Sequence, residues 1–212
     1  MKTAIVLGAT GMVGVALVQN LLYSHEYTHV KLFVRRESGV CHPKVIEHLV
    51  DFDKPDEWRE LVTGDVLFST LGTTLAVAGS KANQFKVDFS YQFQMAQIAA
   101  QNGVPAYVLV SSTGAKASSA NFYLSMKGQL DDAVQQLPFK QLVILRPGQL
   151  YGNRLQKRVA EKWAIKLMFL MNKMGLFLKY RPIHANRVAQ AMIHVSLKKL
   201  SGIYTLDEIF EL

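Results

Sequence analysis

Gly8-Ala9-Thr10-Gly11-Met12-Val13-Gly14 is the stretch that decides the fold. It follows the apolar run Thr3–Leu7 without a break and leads into an amphipathic run ending near Tyr23. Its spacing is G-x-x-G-x-x-G. The first glycine suits a tight turn off a strand, the second a close approach of backbone to a pyrophosphate, and the third a helix packed near the strand. The N–H groups at the start of that helix can then hold phosphate oxygens. Chance would give about 0.06 such triples in this composition. A glycine-rich turn without a ligand is the bland alternative. The loop nominates Gly8, Thr10, Gly11, Met12, Val13 and Gly14 as cofactor-binding residues.

Outward from the loop, short apolar runs alternate with longer amphipathic ones. Strands are expected at Thr3–Leu7, Val30–Val34, Val45–Val50, Val66–Thr70, Ala106–Ser111 and Gln141–Arg146. Helices are expected near Gly11–Tyr23, Pro55–Val62, Gln84–Asn102 and Tyr123–Leu137. Continuous apolar strands separated by helices imply an α/β fold, a doubly wound parallel sheet of Rossmann type with helices on both faces. The rhythm breaks after Arg146. Helices near Leu155–Met174 and Asn186–Lys199 and a strand Ile203–Leu206 complete one domain spanning 1–212, with 150–185 forming most of a small substrate-binding part.

Open sheets of this kind bind ligands outside the carboxyl ends of their strands. The second strand ends in Arg35-Arg36, where an NAD site usually carries an acidic residue. Arginine forks suit a 2′-phosphate, which favours NADPH over NADH. Glu37 stands one position later and speaks the other way, and plain surface arginines are the alternative. Asp51 and Phe52 follow the third strand within reach of an adenine. Leu71, Gly72 and Thr73 follow the fourth, with Thr74 beside them toward a substrate pocket. Ordinary turns would account for both stretches.

Tyr123 and Lys127 have Y-x-x-x-K spacing, which puts both on one helix face. An ammonium beside a phenol stabilises phenolate, so the tyrosine can exchange a proton with a carbonyl or alcohol oxygen while hydride moves. Spacing alone is weak, because chance gives about 0.6 such pairs here. A second match, Tyr27/Lys31, leads into the second strand and reads as coincidence. Context singles out Tyr123, since Ser111-Ser112 ends the fifth strand 11 residues upstream, counted from Ser112. Ser112 is assigned to the substrate oxygen, with Ser111 as the alternative and as a cofactor neighbour. Alternation along a strand turns only one of the two toward the site.

Composition narrows the rest. Half of the 212 residues are apolar and 19% are charged, which excludes intrinsic disorder. The single Cys41 excludes an internal disulfide framework and a cysteine-based metal site, and a reducing, cytoplasmic setting follows as the expectation. Glycines interrupt the apolar run Ala4–Leu22, so no signal peptide is expected, and no transmembrane run is evident. The net charge of +8 is local, because 151–187 carry nine Lys or Arg against one Glu while the remainder is balanced. On a helix over 155–174, Arg158, Lys162, Lys166 and Lys173 would form a stripe away from Trp163, Leu167 and Met171. A solvated face over a substrate pocket is the first reading. A homodimer or partner surface comes second and a membrane surface third, and nucleic acid is disfavoured for want of a binding motif.

In their order, Gly8–Gly14, Arg35-Arg36, Ser111-Ser112, Tyr123/Lys127, Arg146-Pro147-Gly148 and Arg181-Pro182-Ile183-His184 resemble the short-chain dehydrogenases/reductases over nearly the whole chain. Leu71–Thr74 with Ala78-Gly79-Ser80-Lys81, and Phe122-Tyr123-Leu124, are similar to one atypical group, the NAD(P)H-binding Tat-interactive-protein-like oxidoreductases. That resemblance implies bound NADP(H) and a Ser112/Tyr123/Lys127 trio. It also implies Pro147-Gly148 near the nicotinamide and His184 at the start of a late helix bordering the substrate pocket. Asn186 stands where relatives often carry Asp, and either residue caps a helix. The expected function is an NADP-dependent oxidoreductase acting on a small carbonyl or alcohol. The alternative is a non-catalytic NADP(H)-sensing regulatory or assembly protein.

Overall fold

The computed structural model describes residues 1–152 and 181–212. The expected helix over 155–174 lies outside the described residues. Seven parallel strands form the sheet: β1 Lys2–Leu7, β2 Tyr27–Val34, β3 Val45–Leu49, β4 Val66–Ser69, β5 Ala106–Val110, β6 Gln141–Arg146 and, last, β9 Gly202–Thr205. Their spatial order is β3-β2-β1-β4-β5-β6-β9, so the direction of winding reverses between β1 and β4. A reversal of this kind opens a crevice at the carboxyl ends of the two strands. The expected doubly wound parallel sheet is present.

The alternation of buried residues along β1 explains the two faces. Ala4 and Val6 point into one core with Leu17 and Leu21 of helix α1, Met12–Tyr23, and with Val188, Met192 and Val195 of the late helix Ala185–Lys198. Ile5 and Leu7 point into the other, with Met95 and Ala99 of α4, Tyr91–Gln101, and Leu130 and Val134 of α5, Phe122–Val134, which follow the short helices α2, Leu75–Ala78, and α3, Lys81–Phe85. Every β1 residue from Ala4 to Leu7 is therefore buried on one side or the other, as a central parallel strand requires.

Several expected elements differ. No α-helix forms over 55–62. Two 3₁₀ turns, Pro55–Glu57 and Arg59–Leu61, take its place. Trp58 separates them, because its ring is buried beside Phe33 and Phe52 and its indole N–H donates to the Asp51 carbonyl at 2.8 Å. That anchor holds Trp58 at φ −135°, outside helical space. The helix expected from Gln84 starts earlier, at Lys81, and passes through one π turn at Lys86–Ser90 before α4. β2 starts at Tyr27, which puts the Tyr27/Lys31 match on a strand. A two-stranded ladder, β7 Leu150–Tyr151 with β8 Ile183–His184, was not anticipated. Asn186 does not cap the late helix. His184 does, its Nδ1 accepting from the Asn186 N–H at 3.2 Å, while the Asn186 side chain accepts from Asn20 at 2.8 Å.

Candidate functional site

The glycine loop is built at the limit of steric tolerance. Gly8 has φ +89°, and a Cβ on it would lie 2.5 Å from the Leu71 nitrogen, so β1 and β4 touch where their chains leave the sheet. A Cβ on Gly14 would lie 2.0 Å from the Gly8 carbonyl oxygen. Gly11 is looser, its nearest neighbour being the same oxygen at 3.3 Å. Thr70 locks the turn by donating its hydroxyl toward the Leu7 and Gly8 carbonyls at 3.0 and 3.1 Å. Gly11 is the N-cap of α1 and supplies no side chain to it. Among the described residues, the Met12 and Val13 N–H groups have no hydrogen-bond acceptor. This cradle of close backbone and free N–H groups fits a pyrophosphate.

Arg35 and Arg36 follow β2, are exposed, and make no hydrogen bond or ion pair among the described residues. Their forks remain available to a phosphate. The stretch after β3 is different. Phe52 is 4% exposed, its ring packed against Trp58 and Tyr91, so the core holds it and it offers no open face to an adenine. Asp51 is exposed, but its carboxylate accepts the Asp53 N–H at 3.0 Å and its carbonyl holds Trp58, so it serves the turn. The loop Leu71–Thr74 runs past Gly8 and ends at Thr74, which caps the short helix Leu75–Ala78.

The two serines after β5 separate as alternation demands. Ser111 is buried, its hydroxyl without a hydrogen-bond partner among the described residues and its N–H donated to the Leu145 carbonyl, so it does not open to the crevice as a cofactor residue would. Ser112 is partly exposed and donates only to the adjacent Thr113 carbonyl, at 3.3 Å. Tyr123 is exposed in the first turn of α5, capped by Asn121, and Lys127 sits one turn on. Lys127 is 3% exposed, and its ammonium lies 3.4 Å from the buried carboxylate of Asp88. Burial pushes the Asp88 carboxyl up, and Lys127 and the Thr73 N–H pull it back. A second buried pair lies one turn along α5, where Asp131 accepts from Arg146 Nε at 2.8 Å. Burial likewise raises the Asp131 carboxyl, against the pull of Arg146.

Pro147 and Gly148 follow β6, with the Pro147 carbonyl holding the Thr113 N–H at 3.0 Å, so the β5 and β6 ends are tied together. His184 is exposed at the start of the late helix, with its ring edge-on to Tyr151 at 5.1 Å. The sequence reading missed Asp88 altogether. Its only signal was an acidic residue flanked by Val87 and Phe89 in a helical stretch.

A family model described as HIM1 matches residues 52–181. "Protein FMP52, mitochondrial" of Saccharomyces cerevisiae is 32% identical over 202 residues, covering 91% of this chain and 87% of that protein. Its namesake in Coccidioides immitis is 34% identical over 174 residues, covering 76% and 71%. Among solved structures, the Bordetella bronchiseptica enzyme WbmH in complex with NAD+ superposes with a TM-score of 0.74 at 16% identity, covering 97% of this chain and 75% of that one. That likeness carries the Rossmann-like fold. The relatives' names overturn the cytoplasmic expectation. One unpaired cysteine reports that disulfides are absent, and it does not distinguish one compartment from another.

Proposed function

The chain belongs to the HIM1 family, and we propose that it is an NADP(H)-dependent oxidoreductase of the short-chain dehydrogenase/reductase kind, in the atypical group its motifs resemble, acting on a small carbonyl or alcohol. The observation that carries this reading is the uncapped start of α1 behind Gly8 and Gly11, at the reversal of the sheet, with the exposed Tyr123 in the first turn of α5. The dinucleotide, when bound, supplies or accepts a hydride. The free N–H groups of Met12 and Val13 take its pyrophosphate, and Arg35 and Arg36 its 2′-phosphate. Ser112 holds the substrate oxygen. Tyr123 gives that oxygen its proton in reduction and withdraws it in oxidation. The relatives' names support action in mitochondria.

The test is NADPH oxidation against a panel of aldehydes, ketones and quinones, with Tyr123→Phe as the paired variant. The expected outcome is turnover in the wild type and a loss of about a hundredfold or more in the variant, the scale of general acid–base catalysis. Equal rates would remove Tyr123 from the mechanism. NADPH binding without turnover on any substrate would favour a cofactor-sensing protein.

A further inference from the structure

Asp88 is the most constrained charged residue near the crevice. It is 1% exposed and lies on the π turn Lys86–Ser90. Such turns insert one extra residue into a helix and re-aim the side chains around it. One Asp88 oxygen faces the Lys127 ammonium at 3.4 Å, and the other accepts the Thr73 N–H at 2.9 Å. Its main-chain carbonyl accepts from the Gln92 amide at 2.7 Å, and the Gln92 oxygen in turn accepts the Ser69 hydroxyl at 2.7 Å. The carboxylate is thus fixed from behind and joins two segments far apart in sequence. One is α5, which carries Tyr123. The other is the loop Leu71–Thr74, whose first residue packs on Gly8.

We propose that Asp88 is a positioning residue of the dinucleotide site, holding the Lys127 ammonium with one oxygen and the backbone of the Leu71–Thr74 loop with the other. The proposal rests on the cofactor reading above and goes beyond it, since it makes cofactor affinity depend on a residue that need not touch the cofactor. The physical case is one of acceptor count. A carboxylate accepts from two donors at once, whereas an amide has one accepting oxygen. Asp88→Asn would therefore turn an N–H group toward either Thr73 N–H or Lys127. A buried ion pair alone adds little stability over an apolar pair of the same shape, so stability does not explain why a charge stands here.

Asp131 provides the contrast. It is equally buried on the same helix as Lys127, but only one of its oxygens carries a bond, to Arg146, and the other has no hydrogen-bond partner among the described residues. An amide fits that arrangement, since its oxygen keeps Arg146 and its NH2 replaces an oxygen that accepts from no donor.

The experiment compares wild type, Asp88→Asn and Asp131→Asn by calorimetric titration with NADPH, each at a temperature well below its own melting midpoint. The proposal expects Asp88→Asn to weaken NADPH binding by about tenfold or more and Asp131→Asn to stay within about twofold of wild type. The double variant Asp88→Asn with Lys127→Met removes the unpaired buried ammonium. It should recover the melting midpoint while NADPH binding stays weak. A merely structural pair would instead leave affinity in the folded Asp88→Asn protein unchanged, or restore affinity and midpoint together in the double variant, and either result overturns the proposal. Should wild type bind no NADPH, the cofactor reading itself falls and takes this inference with it. Tight binding by both wild type and Asp88→Asn removes only the inference.

Discussion

The two sides of the crevice are built by opposite means. On the β1 side the site is backbone, with glycines where a Cβ would meet a carbonyl or an amide at 2.0–2.5 Å and free N–H groups at the start of α1. On the β5 side it is buried side-chain charge, the pair of Asp88 and Lys127. At Gly8 and Gly14 the first side tolerates no added atom, and it has no charge to lose. The second has room set by side chains and fails through unpaired charge. Steric substitutions should therefore act on the first, isosteric charge changes on the second.

The steepest test of that contrast is a pair of glycine substitutions in one loop. Gly14 is buried in α1, and even alanine there drives its Cβ into the backbone of Gly8, which cannot swing aside as a side chain would. Gly14→Ala should cost about 1–3 kcal/mol or more of stability. Gly11→Val should leave the melting midpoint close to wild type and weaken NADPH binding by about two decades, because the added methyls occupy the pyrophosphate cradle. Thermal melts and calorimetry on both proteins separate the effects. Equal stability loss in the two would show that Gly11 serves the turn alone.

A smaller effect is expected at the rim. Arg35 and Arg36 have no protein partner among the described residues, so replacing both with Ala removes nothing from the fold. Two charge-assisted bonds to a 2′-phosphate are worth about 1.5–3 kcal/mol, so the double change should lower NADPH affinity by one to two decades and leave NADH affinity alone. If wild type binds both dinucleotides equally in calorimetry, the arginines are surface residues with no part in cofactor choice.

The same division explains which parts were legible in the sequence. Gly8–Gly14 is contiguous, and each glycine answers a local steric demand, so its meaning survives without coordinates. The strands around it are apolar runs of the right length, and all seven parallel strands fall within a few residues of the expected runs. Trp58 is different. Its anchor to the Asp51 carbonyl and its burial against Phe33 are long-range, and they overrode a helical pattern over 55–62. The choice between Ser111 and Ser112 needed knowledge of which of the two the packing around the end of β5 buries. Asp88 was out of reach because its partners Thr73 and Lys127 are 15 residues before it and 39 after it.

The gentlest comparison uses the two Tyr-x-x-x-Lys matches, which share a spacing and nothing else. Tyr123 is exposed on a helix, whereas Tyr27 starts strand β2 fully buried between the sheet and the late helix. The Ser196 hydroxyl already donates to the Ile193 carbonyl at 2.7 Å, so in its 2.7 Å contact with Tyr27 it is the tyrosine that donates. Tyr27→Phe then leaves Ser196 with its own donation intact and should cost only about 0.5–1.5 kcal/mol. It should leave NADPH binding and turnover at wild-type values, the reverse of Tyr123→Phe. Burial pushes the Tyr27 phenol from 10.0 up to about 12. A group raised on folding contributes stability that is intact below its unfolded value and fades as pH climbs through the folded one. The wild type should therefore lose about 2–3 kcal/mol between pH 10 and 12 through this residue, and Tyr27→Phe should lose that much less over the same window. Alkaline melts on the two proteins read the difference directly. Parallel curves would mean that Tyr27 ionises as freely in the folded chain as in the unfolded one, which its burial forbids.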